Sequence, residues 1–357
     1  MSDGLEARLV SDGLGARLVS DGLEACLMRD GLEARLRAAL DGKAKPVGAL
    51  GRIEDLAVQL GLVQGTVRPV VADPVVLVFA GDHGAVASGV SAYPSAVTAA
   101  MVGAYLAGRA AINVVSAQVG ARLVVVDAGV DAVLPAHPDL VAAKIGPGTR
   151  DWTQGPAMSS AEVAAAFAAA AGIVDGLADG GTTVLALGEM GIGNTASAAL
   201  LVHKVAGLPL LVGRGAGLDD AGLGRKRVLV EAASDRVAGR LDATAALAAF
   251  GGFEIAMLVG AMLRAAQRRV VVLVDGVIVT AAAVLAHAMA PGCLDSFVFA
   301  HRSAEPGHAA MLAHLGAQPL LDLGMRLGEG TGAALAIPLL KVAAGVLGEM
   351  AELSEVA

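Results

Sequence analysis

The chain has 357 residues, of which 55% are hydrophobic and 17% charged, and its formal net charge is −8. Its longest basic run is Arg225-Lys226-Arg227 and only 3% of its residues are aromatic, so it lacks the basic stripe and stacking rings of a nucleic-acid groove. Two cysteines, Cys26 and Cys293, argue against a disulfide framework and favour reduced thiols in a cytoplasmic protein. The charged start of the chain has no apolar core of a signal peptide.

A nine-residue repeat fills the first 37 residues. Its four copies begin at Ser2, Ser11, Ser20 and Arg29. Nine residues make two and a half helical turns, so the leucine pairs of successive copies face opposite sides of a helix. We interpret 1–37 as a poorly packed, non-functional extension, duplicated from the true first helix. Met28 is then a candidate for the native start.

Beyond the repeats, short apolar runs alternate with helical periodicity. Segment 75–80, VVLVFA, is uniformly apolar, as expected of a strand buried on both faces of a sheet. The predicted strands are 75–80, 123–126, 182–187, 270–274 and 296–300. The predicted helices are 53–60, 95–119, 161–178, 194–205, 253–267 and 279–289. This alternation predicts an α/β fold, with a parallel Rossmann-like sheet flanked by helices.

Two long apolar stretches raise the question of a membrane span. Segment 270–290 contains Asp275 and His287, and segment 331–350 contains Pro338 and Lys341. Because these polar residues and the proline interrupt both stretches, we predict buried elements of a soluble protein and no membrane span.

A glycine-rich turn follows the predicted strand 182–187 and leads directly into a helix. Its sequence from Gly188 to Thr195 is GEMGIGNT. Glycines let a ligand approach the backbone, and the free amides of a helix start favour an anion, so the turn suits a phosphate. The turn lacks the lysine of a Walker loop and the spacing of a dinucleotide fingerprint. The alternative is a plain turn with an Asn/Thr cap.

Other polar segments also follow strands, where parallel sheets bind ligands. Gly213 to Asp220 precedes Lys226 and suits a phosphate, or is a flexible loop. The segment 81–84, GDHG, is either a substrate-lining loop or an ordinary turn, and its Asp-His pair is weak evidence for a metal. The remaining segments contain Asp275, His301, Ser303 and His308, with the two histidines interpreted as turn residues.

A single glutamate, Glu329, stands between Gly328 and Gly330 ahead of an apolar helix. A carboxyl group in such apolar surroundings has a raised pKa and can act as a general base. The alternative is an acid in the first turn of a helix, where the helix dipole favours negative charge.

The order of these motifs resembles the nicotinate-nucleotide–dimethylbenzimidazole phosphoribosyltransferase family. The matching stretches run collinearly from about residue 45 to residue 340. They include KPVGALGRIEDLA, FAGDHG, GVSAYP, GEMGIGNTASAAL, GRGAGLDDAGLGRKR, GGFEIAMLVGAML, HRSAEPGH and LDLGMRLGEGTGAALAIPLL. The resemblance implies a large α/β substrate-binding domain, 73–319, and a smaller mostly helical domain formed by both chain ends, 38–72 and 320–357. It also implies a homodimer.

The resemblance also implies the roles of site residues. Glu329 is the expected general base, and Glu189 is expected to support ribose and base placement. The residues expected to hold the phosphoribosyl group are Gly188, Met190, Gly191, Gly193, Asn194, Thr195, Gly215, Lys226 and Ser303. Those expected to line the aromatic base pocket are Ser91, Tyr93, Met190 and Leu327. Asp275 and Gly330 are further expected substrate contacts.

The implied reaction moves the phosphoribosyl group of nicotinate mononucleotide to 5,6-dimethylbenzimidazole, giving α-ribazole 5′-phosphate and nicotinate in adenosylcobalamin biosynthesis. Nicotinate leaves as a neutral ring nitrogen, so we expect no cofactor and no metal. Relatives commonly carry a glutamine where this chain has only small residues, 95–100, which leaves benzimidazole, a purine or a phenol open as acceptor. Two rival functions are an NAD(P)-binding oxidoreductase and a non-catalytic nucleotide-binding homologue.

Overall fold

A six-stranded, entirely parallel sheet forms the centre of the molecule, which we describe from a computed structural model covering residues 29–356. The strands are β1 (Val75–Gly81), β2 (Arg122–Gly129), β3 (Leu140–Ala142), β4 (Val184–Met190), β5 (Val271–Val274) and β6 (Phe297–Phe299). They lie in the order β3-β2-β1-β4-β5-β6, the doubly wound arrangement of Rossmann-type folds. This confirms the predicted fold class.

Helices cover both faces of the sheet. They are α1 (Arg29–Asp41), α2 (Arg52–Gln64), α3 (Ala96–Leu106), α4 (Ala111–Val119), α5 (Ser160–Asp179), α6 (Asn194–Ala206), α7 (Asp220–Arg236), α8 (Ala243–Phe250), α9 (Phe253–Gln267), α10 (Val277–Met289), α11 (His308–His314), α12 (Thr331–Gly348) and α13 (Leu353–Val356). A hydrophobic core lies on each face of the sheet, and alternate residues of β1 point into different cores. Leu77 and Phe79 pack with α5, α6, α9 and α10. Val76 and Val78 pack with α1 to α4 and α12. Both faces of β1 are therefore buried, as its uniform apolar sequence predicts.

The predicted helix 95–119 is in fact two helices, α3 and α4. They are separated by a turn at 107–110, in which Gly108 has φ 72°. The side chain of Asn113 holds this turn, because its Oδ1 accepts the Ala110 N–H (3.0 Å) and its Nδ2 donates to the Tyr105 carbonyl (2.8 Å). The prediction was wrong because apolar periodicity continues across the turn.

Five elements were absent from the predicted set: β3, α7, α8, α11 and α13. Strand β3 has only three residues and lies at the edge of the sheet. Helix α7 is rich in charged residues, and its start is fixed by Asp219, whose side chain accepts the Gly222 N–H at 2.7 Å. Asp242 caps α8 in the same way through the Ala245 N–H, at 2.8 Å. These caps are local hydrogen bonds that an apolar pattern does not reveal.

The two ends of the described chain lie together. Lys43, just after α1, forms a 2.7 Å ion pair with Glu352, just before α13. The fourth repeat copy forms the start of α1, and Leu36 of that copy is buried against Gly61 of α2. Leu36 is thus part of the core, and the poor packing of the repeat extension as a whole stays a prediction. The first three copies and Met28 lie outside the described residues, and the boundaries of the two predicted domains stay a prediction.

Three segments of the described chain are long and apolar enough to cross a membrane by length and composition alone. They are Ala96–Val119, Ser160–Asp179 and Thr331–Gly348. The apolar stretch 270–290 divides into strand β5 and helix α10, both inside the core.

Candidate active site

A pocket of about 480 Å³ opens at the carboxyl ends of β4, β5 and β6. Glu189 lies at the end of β4, Asp275 follows β5, and His301 and Ser303 follow β6. Strand order reverses between β1 and β4, and ligands of doubly wound sheets bind beside such a reversal. The volume is in the range of sites that enclose a small ligand.

Glu329 lies in the wall of this pocket and is 6% exposed. Its φ of 63° is left-handed, a backbone conformation that costs a residue with a side chain about 1–3 kcal/mol. The strained peptide packs directly on Gly188, where a Cβ would lie 2.5 Å from the Gly330 nitrogen. The glycines at positions 188 and 330 therefore fix the position from which the Glu329 carboxyl enters the pocket.

The surroundings of Glu329 are those of a general base. Burial raises the pKa of its carboxyl, the Ile112 N–H and the Tyr105 hydroxyl partly offset this effect, and Asp275 adds to it. Helix α12 begins after Gly330, so Glu329 is not the first-turn acid of the alternative interpretation. A buried carboxyl group with a raised pKa can take a proton from a substrate near neutral pH.

A second carboxyl group, Glu189, faces the same pocket in a different electrostatic setting. Burial raises the pKa of Glu189 to about 8, the Asn194 amide lowers it, and the negative charges of Glu254, Asp275 and Glu329 raise it. The Asn194 amide nitrogen donates to Glu189 Oε2. A Glu189 carboxyl that carries its proton can donate a hydrogen bond, whereas an ionised Glu329 can only accept one.

The glycine-rich turn, with Lys226 behind it, forms the candidate anion-binding end of the pocket. Gly193 precedes α6 with φ 94°, so the first turn of α6, with Asn194 and Thr195, faces the pocket. Lys226 is 1% exposed, and its ammonium donates to Thr195 Oγ1 (2.7 Å) and to the Gly213 carbonyl (3.1 Å). Burial lowers the pKa of Lys226 to about 8. A helix start and a buried cation together favour a phosphate.

Known proteins share this sequence and architecture. The family model described as "Phosphoribosyltransferase" matches residues 27–357. Two similar proteins are named nicotinate-nucleotide–dimethylbenzimidazole phosphoribosyltransferase. The protein from Cupriavidus necator is 55% identical over 89% of this chain and 93% of its own length. The protein from Ralstonia nicotianae is 56% identical over 89% of this chain and 91% of its own length. The crystal structure of CobT from Thermus thermophilus matches with a TM-score of 0.87 and 43% identity, over 91% of this chain and 98% of that one.

The chain belongs to the nicotinate-nucleotide–dimethylbenzimidazole phosphoribosyltransferase family. The resemblance seen in the motifs is thereby confirmed, and so is the placement among the phosphoribosyltransferases.

Most residues predicted for the site line the pocket. They are Tyr93, Glu189, Met190, Gly191, Asn194, Thr195, Gly215, Asp275, Ser303, Leu327 and Glu329. Gly188, Gly193 and Gly330 lie behind the wall and shape its backbone, and Lys226 reaches it through Thr195. Ser91 does not line the pocket, because its hydroxyl turns back to accept the Tyr93 N–H at 3.2 Å.

Sequence reasoning missed several residues of the wall, among them His301, Glu305 and Arg326. His301 Nε2 lies 3.4 Å from Asp275 Oδ1. Burial lowers the pKa of His301, but the Asp275 carboxylate outweighs this effect, so the pKa of His301 is raised. Arg326 is the only arginine or lysine among the described residues of the pocket wall. His301 follows strand β6 after one intervening residue, a position at which parallel sheets often contact ligands. This position is the signal that could have found it, but a lone histidine there is more often a turn residue.

The GDHG segment contributes a buried pair behind the site, and it does not line the pocket. His83 Nε2 lies 2.6 Å from Glu254 Oε1, both side chains are fully buried, and His83 Nδ1 contacts Ser197 Oγ at 3.1 Å. Burial opposes a charged imidazole, but the Glu254 carboxylate raises the pKa of His83. A Cβ at Gly191 would lie 3.1 Å from Glu254 Oε1, so the pair supports the glycine-rich turn from beneath.

Glu254→Ala is expected to lower the free energy of unfolding by about 3–5 kcal/mol, because it removes one partner of a fully buried, hydrogen-bonded pair and leaves the His83 ring without it. Urea denaturation followed by circular dichroism measures this loss. The exposed Glu231 of α7 supplies the control, since Glu231→Ala should leave the urea midpoint unchanged. A Glu254→Ala protein as stable as the wild type would mean that His83 and Glu254 are not a charged pair.

No group of three or more His, Cys, Asp or Glu side chains within the described residues 29–356 is arranged to hold a metal ion.

Proposed function

We propose that this chain transfers the phosphoribosyl group of nicotinate mononucleotide to 5,6-dimethylbenzimidazole. The observation that carries the proposal is the position of Glu329, a buried carboxyl group in the wall of a pocket whose other end is built to hold a phosphate. The names of its relatives support the same pair of substrates. The products are α-ribazole 5′-phosphate and nicotinate.

The chemistry requires one proton acceptor and good alignment. The bond between the anomeric carbon and the pyridinium nitrogen breaks, and its electron pair leaves with nicotinate as a neutral ring nitrogen. One nitrogen of the benzimidazole attacks the anomeric carbon, while its other nitrogen gives its proton to Glu329. Attack opposite to the leaving group inverts the sugar to the α configuration. Holding both substrates in line contributes further to the rate.

Each end of the pocket suits one substrate. The phosphate fits beside Thr195, Gly215 and the ammonium of Lys226, because the helix start and the cation attract it. The flat base fits among apolar side chains of the wall, which include Tyr93, Met101 and Met190. Glu189 lines the same pocket, and its raised pKa supports a hydrogen bond from its protonated carboxyl to an oxygen of the ribose.

A second acceptor remains a candidate because of one sequence feature. Segment 95–100 carries no glutamine, and two residues of the pocket wall in this region, Val97 and Met101, are apolar. A wall of this kind sets the acceptor by shape more than by hydrogen bonds, so benzimidazole, a purine or a phenol can compete with dimethylbenzimidazole.

The decisive experiment mixes the purified protein with nicotinate mononucleotide and a panel of bases. Mass spectrometry follows nicotinate release and the new nucleotide, and NMR of the anomeric proton reports its configuration. We expect the α-nucleotide of dimethylbenzimidazole as the main product. Absence of any base-dependent nicotinate release would refute the proposal, whereas faster transfer to another base would change only the acceptor.

We further propose that the protein is a cytoplasmic homodimer. Helices α4 and α12 pack against each other, and Lys341 of α12 donates to the Val119 carbonyl of α4 at 2.7 Å. The two helices leave Val114 60% and Val342 53% exposed. A neighbouring pair of apolar helices suits a twofold interface between identical subunits. Its cytoplasmic location follows from the charged nucleotide that the reaction consumes.

Val342→Arg is expected to convert the dimer to a monomer, because it places a charge in the apolar interface. Multi-angle light scattering after gel filtration gives the mass of each species. Val133→Arg is the control, since Val133 is 99% exposed and lies outside both helices. A monomeric wild type that sediments with lipid vesicles would instead assign the apolar segments to a membrane surface.

A further inference from the structure

The hydroxyl group of Tyr105 is a buried polar group that the proposed reaction leaves without a role. Tyr105 lies near the end of α3 and is 2% exposed. Its hydroxyl has no hydrogen bond of standard geometry, and the same is true of Oε2 of Glu329. Unpaired buried donors and acceptors are rare and call for an explanation.

The two buried groups lie close enough to influence each other. The Glu329 carboxyl raises the pKa of the Tyr105 hydroxyl by its charge and as an acceptor, and the Tyr105 hydroxyl lowers the pKa of Glu329 as a donor. Burial and the charges of Glu329 and Glu189 raise the pKa of Tyr105, so its hydroxyl keeps its proton. It can therefore only donate to an ionised Glu329. Catalytic hydrogen bonds are often loose without substrate and shorten in the reacting complex.

Groups from four elements act on the Glu329 carboxyl. Tyr105 on α3 and the Ile112 N–H at the start of α4 attract its negative charge, and Asp275 after β5 repels it. Glu189 at the end of β4 repels it only when Glu189 is ionised, above its raised pKa of about 8. Asn113 bonds to Tyr105 and Ala110, and so fixes the spacing of α3 and α4. The Tyr105 hydroxyl and the Ile112 N–H thus reach the carboxyl from two helices that the Asn113 side chain holds together.

We propose that Tyr105 is a positioning residue for the base. Its hydroxyl donates to Oε2 of Glu329 and leaves the other oxygen, Oε1, free to accept the ring N–H of the incoming base. This inference rests on the proposed function, because it assigns Tyr105 to the proton transfer of that reaction. Tyr105 touches neither substrate and acts only through Glu329.

Tyr105→Phe removes the hydroxyl and leaves the ring in place. We expect kcat to fall by about tenfold or more, as for loss of a hydrogen bond to a charged group, while the KM for nicotinate mononucleotide stays within about twofold. Burial raises the pKa of Glu329, whereas the Tyr105 hydroxyl lowers it. Removing the hydroxyl should therefore raise the pKa of Glu329 further. The acid limb of the kcat–pH profile should therefore move to higher pH.

Ser116→Ala is the matched control. Ser116 lies on α4, is 2% exposed, and also carries a buried hydroxyl without a partner, but it is not part of the pocket wall. Its loss should change neither kcat nor the pH profile. An unshifted acid limb in Tyr105→Phe, or a fall in kcat matched by Ser116→Ala, would overturn the proposal.

A second measurement does not depend on turnover. Carboxyl ¹³C NMR of glutamate-labelled protein titrates Glu329 directly, with the Glu329→Gln protein to assign its signal. We expect a higher pKa for Glu329 in Tyr105→Phe than in the wild type, even if the acceptor base is misassigned. Equal titration in both proteins would reject the Tyr105–Glu329 contact, whereas a shifted titration without product formation would reject only the proposed function.

Discussion

Glu329→Gln is expected to reduce turnover by about 10²- to 10⁴-fold, the usual worth of a general base. Glutamine keeps the size and polarity of the side chain, but its amide cannot take the proton of the incoming base. Nicotinate mononucleotide should still bind, since the position proposed for its phosphate is beside Lys226 and not beside Glu329. Steady-state kinetics measures kcat, and isothermal calorimetry measures nucleotide binding.

The matched control is Glu349→Gln, at the exposed end of α12 and outside the pocket wall. This variant should keep wild-type kcat and nucleotide binding. Turnover within about tenfold of the wild type in Glu329→Gln would mean that another group takes the proton.

In the wild type, kcat should fall as the pH drops through the raised pKa of Glu329, because only the ionised carboxyl accepts a proton.

Lys226→Ala is expected to raise the KM for nicotinate mononucleotide by about 10- to 100-fold, since a hydrogen bond to a charged group is worth about 1.5–3 kcal/mol. The KM for the base should change little, because the ammonium contacts only the anion-binding end. Arg225→Ala and Arg227→Ala are matched controls, since both residues are exposed neighbours on α7. Equal effects of all three substitutions would indicate long-range attraction and reject a phosphate contact.

The buried position of Lys226 also predicts a dependence on pH. Burial lowers the pKa of its ammonium to about 8, so the free enzyme loses this charge as the pH rises through that value. The KM for nicotinate mononucleotide should then increase above about pH 8 in the wild type. Lys226→Ala has no ammonium to lose, so its KM should rise less over the same range, with only the ionisation of Glu189 left to weaken binding. A parallel rise in both proteins would contradict the assignment.

The sheet and the glycine-rich turn are predictable because each depends on neighbours in sequence. Uniform apolar runs such as 75–80 indicate strands buried on both faces, and Gly188 to Thr195 indicates a close backbone approach before a helix. The turn that separates α3 from α4 was missed, since it depends on the side chain of Asn113 inside an otherwise apolar pattern.

The supporting contacts of the site are not predictable from one sequence. His83 and Glu254 are 171 positions apart, and only the folded sheet brings them to 2.6 Å. Tyr105 on α3 and Glu329 just before α12 are likewise far apart in the sequence, and neither Tyr105 nor Ile112 has a local pattern that marks it. The sequence shows which residue types are present, whereas the pKa of a carboxyl depends on what surrounds it in space.

The turn at 107–110 gives the proton-transfer step a control point on the molecular surface. Three of its residues, Ala107 to Arg109, are exposed and touch no substrate, but the turn joins the helices that present Tyr105 and Ile112 to the base. Given the proposed role of Tyr105, we expect a substitution there to shift both donors together. The acidity range over which the enzyme works can therefore be retuned during evolution while every substrate contact is preserved.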